Sequence, residues 1–397
     1  SSASGSTGEP SVITDYIDVF VSCVSSTASV CFRFAEYEAA YEKLLEEMAT
    51  FFRSRAGTKG DVSSPKLAEL YATCHGDRWL RVQPLKDAEY GRVECCFVDE
   101  GNTSLIPVEE LWLLPEQFTE LAHQAIECQL DGLVGYADCD GIVEILSDLL
   151  LGKTLVAEVL QREDPVSVIM FDTWGPEDVN LNHAVFLSLM KPRLPEKGCV
   201  GCCYLSHVSD SGLLWVQVKG PGLQTLNNFM TAVNDYCKET SSMIDDPVAD
   251  KVYGCLSRSS HSFYRSVLLS PEPLPSGEFR VLHVDYGYEE RCYLSEFRNL
   301  DNLGDFILRL PFQAVPCRLR GLTEEDGFCW SRDMSARVHI LSGGPDTELL
   351  IRVAKPKIDT QEPVVELFRR NDENRGLMSI NNTVIEALKQ TRCPGLH

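Results

Sequence analysis

The apolar positions of the chain change period several times, and each change predicts a different element. Two β-rich runs at residues 17–21 and 29–34 flank a Ser-Ser-Thr turn, which is typical of a β-hairpin. Residues 36–52 then carry apolar side chains three and four positions apart, namely Tyr41, Leu44, Leu45, Met48 and Phe52. That spacing predicts an amphipathic helix whose apolar stripe packs in a core rather than in a partner groove.

The same reading continues to a candidate boundary. Residues 117–129 show a helical pattern, 153–160 and 166–171 predict strands, and 177–182 lead into a short helix. Two prolines within residues 191–195 mark a linker between two parts of the chain. Beyond it a similar order returns, with a helix over 223–236, strands over 348–353 and 364–368, and a turn and helix over 374–388.

One stretch of ten residues occurs twice. Residues 93–102 (VECCFVDEGN) and 279–288 (FRVLHVDYGY) share V-D-x-G, which reads as a strand running into a tight turn where glycine adopts a positive φ. An aromatic-x-Arg motif precedes each copy, at residues 79–81 and 263–265. The turns lie 186 residues apart (285 minus 99), and the preceding hairpins lie 184 apart (206 minus 22), so the chain contains one module used twice.

The charge of the chain and its cysteines indicate which partners and which compartment to expect. The 36 Lys and Arg residues stand against 59 Asp and Glu, a net charge of −23, which repels phosphate backbones and favours basic partners. No direct nucleic-acid partner is therefore expected. Because no signal-like apolar segment and no bilayer-long apolar stretch accompany the 16 cysteines, we interpret them as reduced, mostly buried thiols of a cytoplasmic protein without a membrane partner.

Motifs of catalysis and metal binding are weak. The sequence has no P-loop, G-x-S-x-G or H-E-x-x-H pattern. Cys199 and Cys202 form a single C-x-x-C, and His207 alone does not complete a zinc site, so buried thiols are the better interpretation. We expect no enzyme activity, no cofactor and no metal.

The repeated residues carry a family resemblance. The aromatic-x-Arg motif, the strand ending in V-D-x-G and the terminal L-L-P at 113–115 resemble the Tudor domain, a five-stranded SH3-like barrel. The flanking sequence is similar to the split staphylococcal-nuclease-like OB-fold that surrounds Tudor barrels in multi-Tudor germline proteins. The resemblance implies a mainly β protein with helices, made of two extended Tudor units.

The implied domain boundaries follow from the motifs. We expect residues 1–10 to form a disordered lead, because Ser, Gly, Ala and Thr dominate them. The first extended Tudor unit covers 11–195 with its core at about 65–115, and the second covers 196–397 with its core at about 247–302. A nuclease is not expected, because the strand pairs lack clustered acidic metal ligands and arginines.

The resemblance also implies a ligand. Tudor domains of this type bind methylated arginine between aromatic walls, with a side-chain amide beside them. In the second copy the wall positions fall at Ser257, Tyr264, His283 and Tyr286, and the amide position falls at Tyr288. Two of the four walls are tyrosines, His283 can stack when neutral, and Ser257 supplies no ring.

The first copy matches the family's binding pattern less well. Its walls fall at Cys74 or His75, then at Leu80, Phe97 and Glu100, and Asn102 takes the amide position; only Phe97 and Asn102 agree with the family pattern. Glu100 removes an aromatic face but can attract an unmodified arginine through its carboxylate.

Structural interpretations stand beside these functional ones. We expect Trp79 and Phe263 to be barrel core, since each neighbours a candidate wall on its strand. Arg81 with Asp99, and Arg265 with Asp285, are expected to form internal ion pairs that brace the two turns. The aromatic trio Tyr264, Tyr286 and Tyr288 is either a site or a packed loop.

The sequence thus predicts a non-catalytic scaffold. By resemblance it docks arginine-rich tails of PIWI-clade Argonaute proteins, unmodified or symmetrically dimethylated, and meets other germ-granule proteins in the cytoplasmic germ granule, the nuage. The alternative is an assembly module that binds protein partners independently of methylation, because both cages depart from the pattern.

Overall fold

The computed structural model of the protein describes residues 15–53, 60–240, 244, 246–323, 328–354, 362–370 and 376–391. The chain forms two units, Ser1–Leu189 (unit 1) and Met190–His397 (unit 2). The lead expected at residues 1–10 lies outside the described residues. Strands predominate in both units, so the fold is mainly β with helices.

In unit 1, the strands of a small barrel are inserted in the sequence between two parts of a larger barrel. Its elements, in chain order, are β1 (Asp15–Ser26), β2 (Ser29–Phe34), α1 (Glu38–Phe52), β3 (Tyr71–His75), β4 (Arg78–Pro84), β5 (Arg92–Phe97), β6 (Thr103–Pro107), β7 (Trp112–Leu113), β8 (Ile126–Leu130), α2 (Ile142–Leu149), β9 (Thr154–Gln161), β10 (Val166–Asp172), β11 (Val179–Asn180) and α3 (Leu181–Met190). The small sheet runs β6-β5-β4-β3-β7 and is antiparallel. The larger sheet runs β11-β10-β8-β2-β1-β9, and pairing of β9 with β10 closes five of its strands into an OB-like barrel.

Unit 2 repeats this order. Its elements are β12 (Val200–Val208), β13 (Leu214–Val218), α4 (Pro221–Glu239), β14 (Tyr253–Ser257), β15 (Ser262–Leu268), β16 (Glu278–His283), β17 (Tyr288–Tyr293), β18 (Phe297–Asn299), α5 (Asp305–Arg309), β19 (Ala314–Leu319), α6 (Arg332–Ser342), β20 (Leu349–Val353), β21 (Val364–Arg370), β22 (Leu377–Ser379) and α7 (Ile380–Thr391). The small sheet runs β17-β16-β15-β14-β18, and the larger one runs β19-β13-β12-β20-β21-β22 with β19 paired to β21. The predicted extended Tudor architecture is therefore confirmed in both units.

Helix α1 confirms the interpretation of its apolar stripe as core. All five stripe residues are buried, and the ring of Phe52 stacks on Trp79 of β4 with 4.5 Å between ring centroids. Trp79 is 4% exposed, and its counterpart Phe263 in unit 2 is equally buried. Both are buried as predicted, but Trp79 lies between the small barrel and helix α1, and Phe263 lies on the strand that contacts helix α4. By strand alternation, the candidate walls beside them face the other side of the strand.

The helix predicted over residues 117–129 is wrong. A short 3₁₀ turn at Glu116–Phe118 is followed by loop and then by β8, which pairs with β2 and with β10. The carbonyl oxygens of Phe118, Leu121 and Ala122 accept hydrogen bonds from Arg81. Tertiary contacts with Arg81 and sheet pairing thus replace the helical bonds that the local pattern favoured.

The predicted ion pairs of the two turns are present and buried, and their arginines also bind the chain that leaves each small barrel. Arg81 donates through Nε and one terminal nitrogen to the Asp99 carboxylate at 2.9 and 2.6 Å. With the three carbonyls above, all five of its N–H donors are used. Arg265 does the same with Asp285, at 2.8 and 2.6 Å, and with the carbonyls of the segment at residues 307–311. These segments lead directly to β8 and β19 of the OB-like barrels.

The glycines of the two V-D-x-G turns need their conformation and their small size. Gly101 has a φ of +92° and Gly287 a φ of +81°. A Cβ on Gly287 would overlap the ring of Trp215 on β13, and one on Gly101 would overlap the side chain of Cys31 on β2. Each turn therefore rests directly on the second strand of its own OB-like barrel.

Candidate functional site

Four predicted residues come together in unit 2, and we call them the aromatic cluster: Tyr264, His283, Tyr286 and Tyr288. Tyr264 projects from the middle of β15, while the other three surround the V-D-Y-G turn between β16 and β17. The Tyr264 ring centroid lies 4.4 Å from that of Tyr286, 5.5 Å from His283 and 6.3 Å from Tyr288. Strand alternation and one tight turn thus assemble a cluster from residues up to 24 positions apart along the chain (288 minus 264).

The geometry of the aromatic cluster is closed. A guanidinium stacked between two rings needs about 3.5–4 Å on each side, so roughly 7–8 Å between the ring planes. The 4.4 Å between Tyr264 and Tyr286 is too short for that. All three tyrosines remain partly exposed, so a cation can approach their outer faces, or enter after rotation of the Tyr264 side chain.

His283 forms the buried floor of the aromatic cluster. The residue is fully buried; its Nδ1 lies 2.8 Å from Ser266 Oγ, and its Nε2 lies 3.1 Å from Glu290 Oε2. Burial lowers the pKa of His283 below its ordinary value, although the Glu290 carboxylate partly offsets that effect. The ring is therefore neutral at pH 7, and its contribution to the site is to support Tyr264 and Tyr288 from behind.

The fourth wall position holds Ser257, which is fully buried. Tyr288 donates its hydroxyl hydrogen to Ser257 Oγ over 3.1 Å. Burial raises the pKa of Tyr288 to about 12, so its phenol stays neutral and keeps this hydrogen bond. Instead of forming a wall, Ser257 fixes the orientation of the Tyr288 ring.

The corresponding positions of unit 1 are arranged differently. Phe97 is 1% exposed and lies in the hydrophobic core, with its ring 5.3 Å from that of His75. Asn102 is half-buried, and its backbone carbonyl accepts a hydrogen bond from the Phe97 amide at 2.9 Å. Leu80 is buried, whereas Cys74 is exposed. The structure gathers no set of exposed aromatic rings at these positions.

Unit 1 instead contains an internal arginine site that the sequence reasoning missed. The Arg33 guanidinium on β2 lies 4.8 Å from the Phe20 ring centroid and 4.5 Å from that of Tyr41. It pairs with Glu38 at 2.7 Å and with Glu100 at 3.1 Å. Arg33 also donates to the carbonyl of Asp99 in the turn, at 3.1 Å. A charged residue inside the apolar run at 29–34 was the only sequence signal for it.

The remaining chemistry of the described residues is sparse. In the ranges that the structure describes, no three His, Cys, Asp or Glu side chains are grouped to hold a metal ion. The cysteines there are free thiols, and burial raises the pKa of Cys31 and of Cys317 to about 12. None of the described helices is both long enough and apolar enough to cross a bilayer.

Comparison with known proteins places the chain in a family. The model of the Tudor domain matches residues 11–132 and 197–321. Tudor domain-containing protein 7B of Danio rerio is 30% identical over 332 residues, which is 80% of this chain and 30% of that protein. Tudor domain-containing protein 7 of Homo sapiens is 26% identical over 327 residues, 79% of this chain and 29% of that protein. The chain thus spans less than a third of the length of these relatives.

Solved structures of extended Tudor domains are also similar to this chain. The extended-Tudor 10-11 of Drosophila melanogaster is 15% identical with a TM-score of 0.38, covering 93% of this chain and 98% of that one. Extended Tudor domain TD3 of mouse TDRD1, in complex with a MILI peptide containing dimethylarginine, is 20% identical with a TM-score of 0.41, covering 50% of this chain and 95% of that one. On the family match, which covers most of both units, this chain belongs to the Tudor domain family, a family of binding modules, and contains two Tudor domains in tandem.

Proposed function

We propose that the protein is a non-catalytic scaffold that docks arginine-rich peptide tails, and that the aromatic cluster of unit 2 receives an arginine. One observation carries the proposal: at a partly exposed turn, the ring centroids of Tyr286 and Tyr288 lie 4.4 and 6.3 Å from the ring centroid of Tyr264. Three electron-rich ring faces attract a cation, and methylation makes a guanidinium broader and less hydrated, which favours this environment.

Electrostatics supports the same ligand class. The net charge of −23 attracts arginine-rich tails over long range and speeds their encounter more than it tightens the complex. Within the aromatic cluster, the neutral imidazole of His283 adds no positive charge, and the Glu290 carboxylate lies 3.1 Å from its Nε2. The site therefore favours a cationic side chain both at a distance and in contact.

Unit 1 has a different role in this proposal. Phe97 and Asn102 match the family pattern, but the Phe97 ring is buried and Arg33 already occupies the acidic and aromatic pocket beside Glu100. We assign arginine recognition to Tyr264, His283, Tyr286 and Tyr288. Unit 1 then acts as a spacer or binds an unmethylated partner through another surface.

The clients follow from the family resemblance. We propose that they are arginine-rich tails of PIWI-clade Argonaute proteins, together with other proteins of the cytoplasmic germ granule. The chain spans less than a third of the length of these relatives, so the proposal concerns only the clients of these two units.

The test is calorimetric titration of the full chain with one Arg-Gly repeat peptide, unmodified and symmetrically dimethylated. We expect the dimethylated form to bind at least about tenfold tighter, or about 1.4 kcal/mol. Tyr264→Ala and Tyr286→Ala should each abolish that difference, while Tyr90→Ala, at a fully exposed tyrosine of unit 1, should preserve it. Unchanged binding by both cluster variants would exclude the aromatic cluster as the site.

A second candidate is supported by the closed geometry. Tyr264 and Tyr286 lie too close together to sandwich a guanidinium, and the described residues of unit 1 form no exposed cage. These observations favour an assembly module that binds protein partners independently of methylation. Equal affinity for the two peptides would support this second function.

A further inference from the structure

Arg33, the internal arginine of unit 1, shows that one position on β2 of this fold can hold a guanidinium. Arg33 lies opposite Phe20 in the pairing of β2 with β1, and it reaches the carbonyl of Asp99 in the V-D-x-G turn. Aromatic rings lie within 5 Å of its guanidinium, and Glu38 and Glu100 supply carboxylates. This combination of ring faces and carboxylates is the environment that arginine prefers when it leaves water.

Unit 2 presents the same place without an arginine. Gln217 lies opposite Tyr204 in the pairing of β13 with β12, which is the register of Arg33 and Phe20. Its Nε2 donates to the carbonyl of Asp285 at 2.6 Å, as Arg33 does to Asp99. The two positions are therefore equivalent, but glutamine is shorter and uncharged.

A cavity of about 410 Å³ adjoins Gln217, the residue at the position that Arg33 holds in unit 1. Tyr204, Gln217, Leu223, Asn227, Tyr286 and Asp346 are among the residues that line it. The cavity thus offers two aromatic rings, two side-chain amides and one carboxylate. Tyr286 belongs both to this lining and to the aromatic cluster, so the cavity adjoins the proposed arginine site.

We propose that this cavity is a second arginine subsite, which takes an unmodified arginine of the same peptide whose other arginine contacts the aromatic cluster. The inference rests on the proposed function and names a second recognition element for it. The guanidinium stacks on Tyr204 and Tyr286 as Arg33 stacks on Phe20 and Tyr41, with Asp346 as its carboxylate partner. Unmodified arginine fits better than dimethylarginine, because pairing with a carboxylate uses the free N–H groups.

Two peptides and two variants test the subsite on the full chain by calorimetry. The first peptide contains four Arg-Gly repeats with one arginine symmetrically dimethylated, and the second replaces the other three arginines by glutamine. We expect the first to bind about tenfold tighter, from one ion pair and its ring contacts. Gln217→Arg should remove that advantage by filling the cavity from within, as Arg33 does in unit 1.

Asp346→Asn keeps the test valid if Gln217→Arg does not fold, since Asp346 is exposed. We expect Asp346→Asn to weaken the four-repeat peptide about fivefold and to leave the substituted peptide unchanged. Glu272→Gln, at another exposed acid of unit 2, makes the same change in net charge and should change the affinity of either peptide only slightly. Equal effects of Asp346→Asn and Glu272→Gln would overturn the subsite.

The two proposals fail separately. Tyr264→Ala, which is outside the cavity lining, should weaken both peptides if the aromatic cluster binds the methylated arginine. If Tyr264→Ala has no effect while Gln217→Arg still weakens the four-repeat peptide, the subsite stands and the aromatic cluster does not. Equal affinity of the wild-type chain for both peptides would overturn the subsite alone.

Discussion

The two units have the same fold and the same buried Arg-Asp ion pair, which we call the shared frame. They differ in the residue that the adjoining turn carries. Arg81 with Asp99 and Arg265 with Asp285 make closely matching sets of hydrogen bonds, to a carboxylate and to the chain that leaves the small barrel. At the adjoining turn, unit 1 has Glu100 bound to its own Arg33, whereas unit 2 has Tyr286. One fold position is thus satisfied internally in the first unit, and we propose that the second unit offers it to a ligand.

The shared frame gives the largest predicted effect. Arg81→Ala and Arg265→Ala each leave a buried aspartate without its cation, so each should lower the free energy of unfolding of its unit by about 3–5 kcal/mol. Urea denaturation followed by tryptophan fluorescence measures this in the full chain. Arg280→Ala removes a half-exposed pair with Glu289 and should cost under about 1 kcal/mol.

Similar losses of unfolding free energy from Arg81→Ala and Arg265→Ala would show that both units depend on the same kind of ion pair. A loss under about 1 kcal/mol in either unit would contradict the comparison, because that unit would then not depend on its ion pair.

Much of this frame can be read from the sequence, for a physical reason. Hairpin β1–β2, helix α1 and the apolar strands have periods that their own residues determine, and the Arg-Asp pairs follow from the rule that a buried charge needs a partner. Strand alternation also brought Tyr264 toward the turn that carries Tyr286 and Tyr288. Local pattern and tertiary structure agree at these positions.

Other features depend on contacts that no local pattern contains. β8 and β19 are short strands defined by pairing with β2 and β13, and the helical pattern over residues 117–129 misled because Arg81 takes carbonyls of that segment. The burial of His283 and the pocket around Arg33 likewise need residues from several elements. Candidate walls could be listed from sequence, but whether they face solvent, core or an internal arginine could not.

The internal arginine gives the next effect in size. Arg33→Gln converts the unit 1 position to its unit 2 counterpart and leaves Glu38 and Glu100 without their shared cation. We expect a loss of about 2 kcal/mol in urea denaturation, because both carboxylates are only partly exposed. Methylguanidinium should restore stability to this variant by about 1.4 kcal/mol at ten times its Kd, since it binds the folded state alone.

Two controls define that rescue. Methylguanidinium should leave the unfolding of unit 1 unchanged in the wild-type chain, because Arg33 fills the pocket there, and tetramethylammonium, which lacks N–H donors, should not rescue the variant. If methylguanidinium stabilises unit 1 equally in both proteins, the pocket around Arg33 is not an arginine site, and the contrast with the unit 2 cavity loses its basis.

The smallest effect concerns acidity in unit 2. Burial lowers the pKa values of His207, His283 and His339 in the folded state. As pH falls through about 6.5, the ordinary histidine pKa, the unfolded chain takes up protons before the folded unit does. The unfolded state then binds more protons, so the free energy of unfolding of unit 2 decreases between about pH 7 and the lowered pKa values, by at most about 1.4 kcal/mol per pH unit for each histidine.

His283→Gln isolates the contribution of the aromatic cluster to that pH dependence. The variant should show a shallower slope of unfolding free energy between about pH 7.5 and 5.5, a window set by the histidine pKa. Val281→Ala, in the same strand and equally buried, should lower stability at every pH and keep the full slope, because it removes no titrating group. If His283→Gln retains the wild-type slope, burial does not lower the pKa of His283, and the imidazole beneath the tyrosines then gains its charge near the ordinary histidine pKa of about 6.5 and repels a bound arginine below that pH.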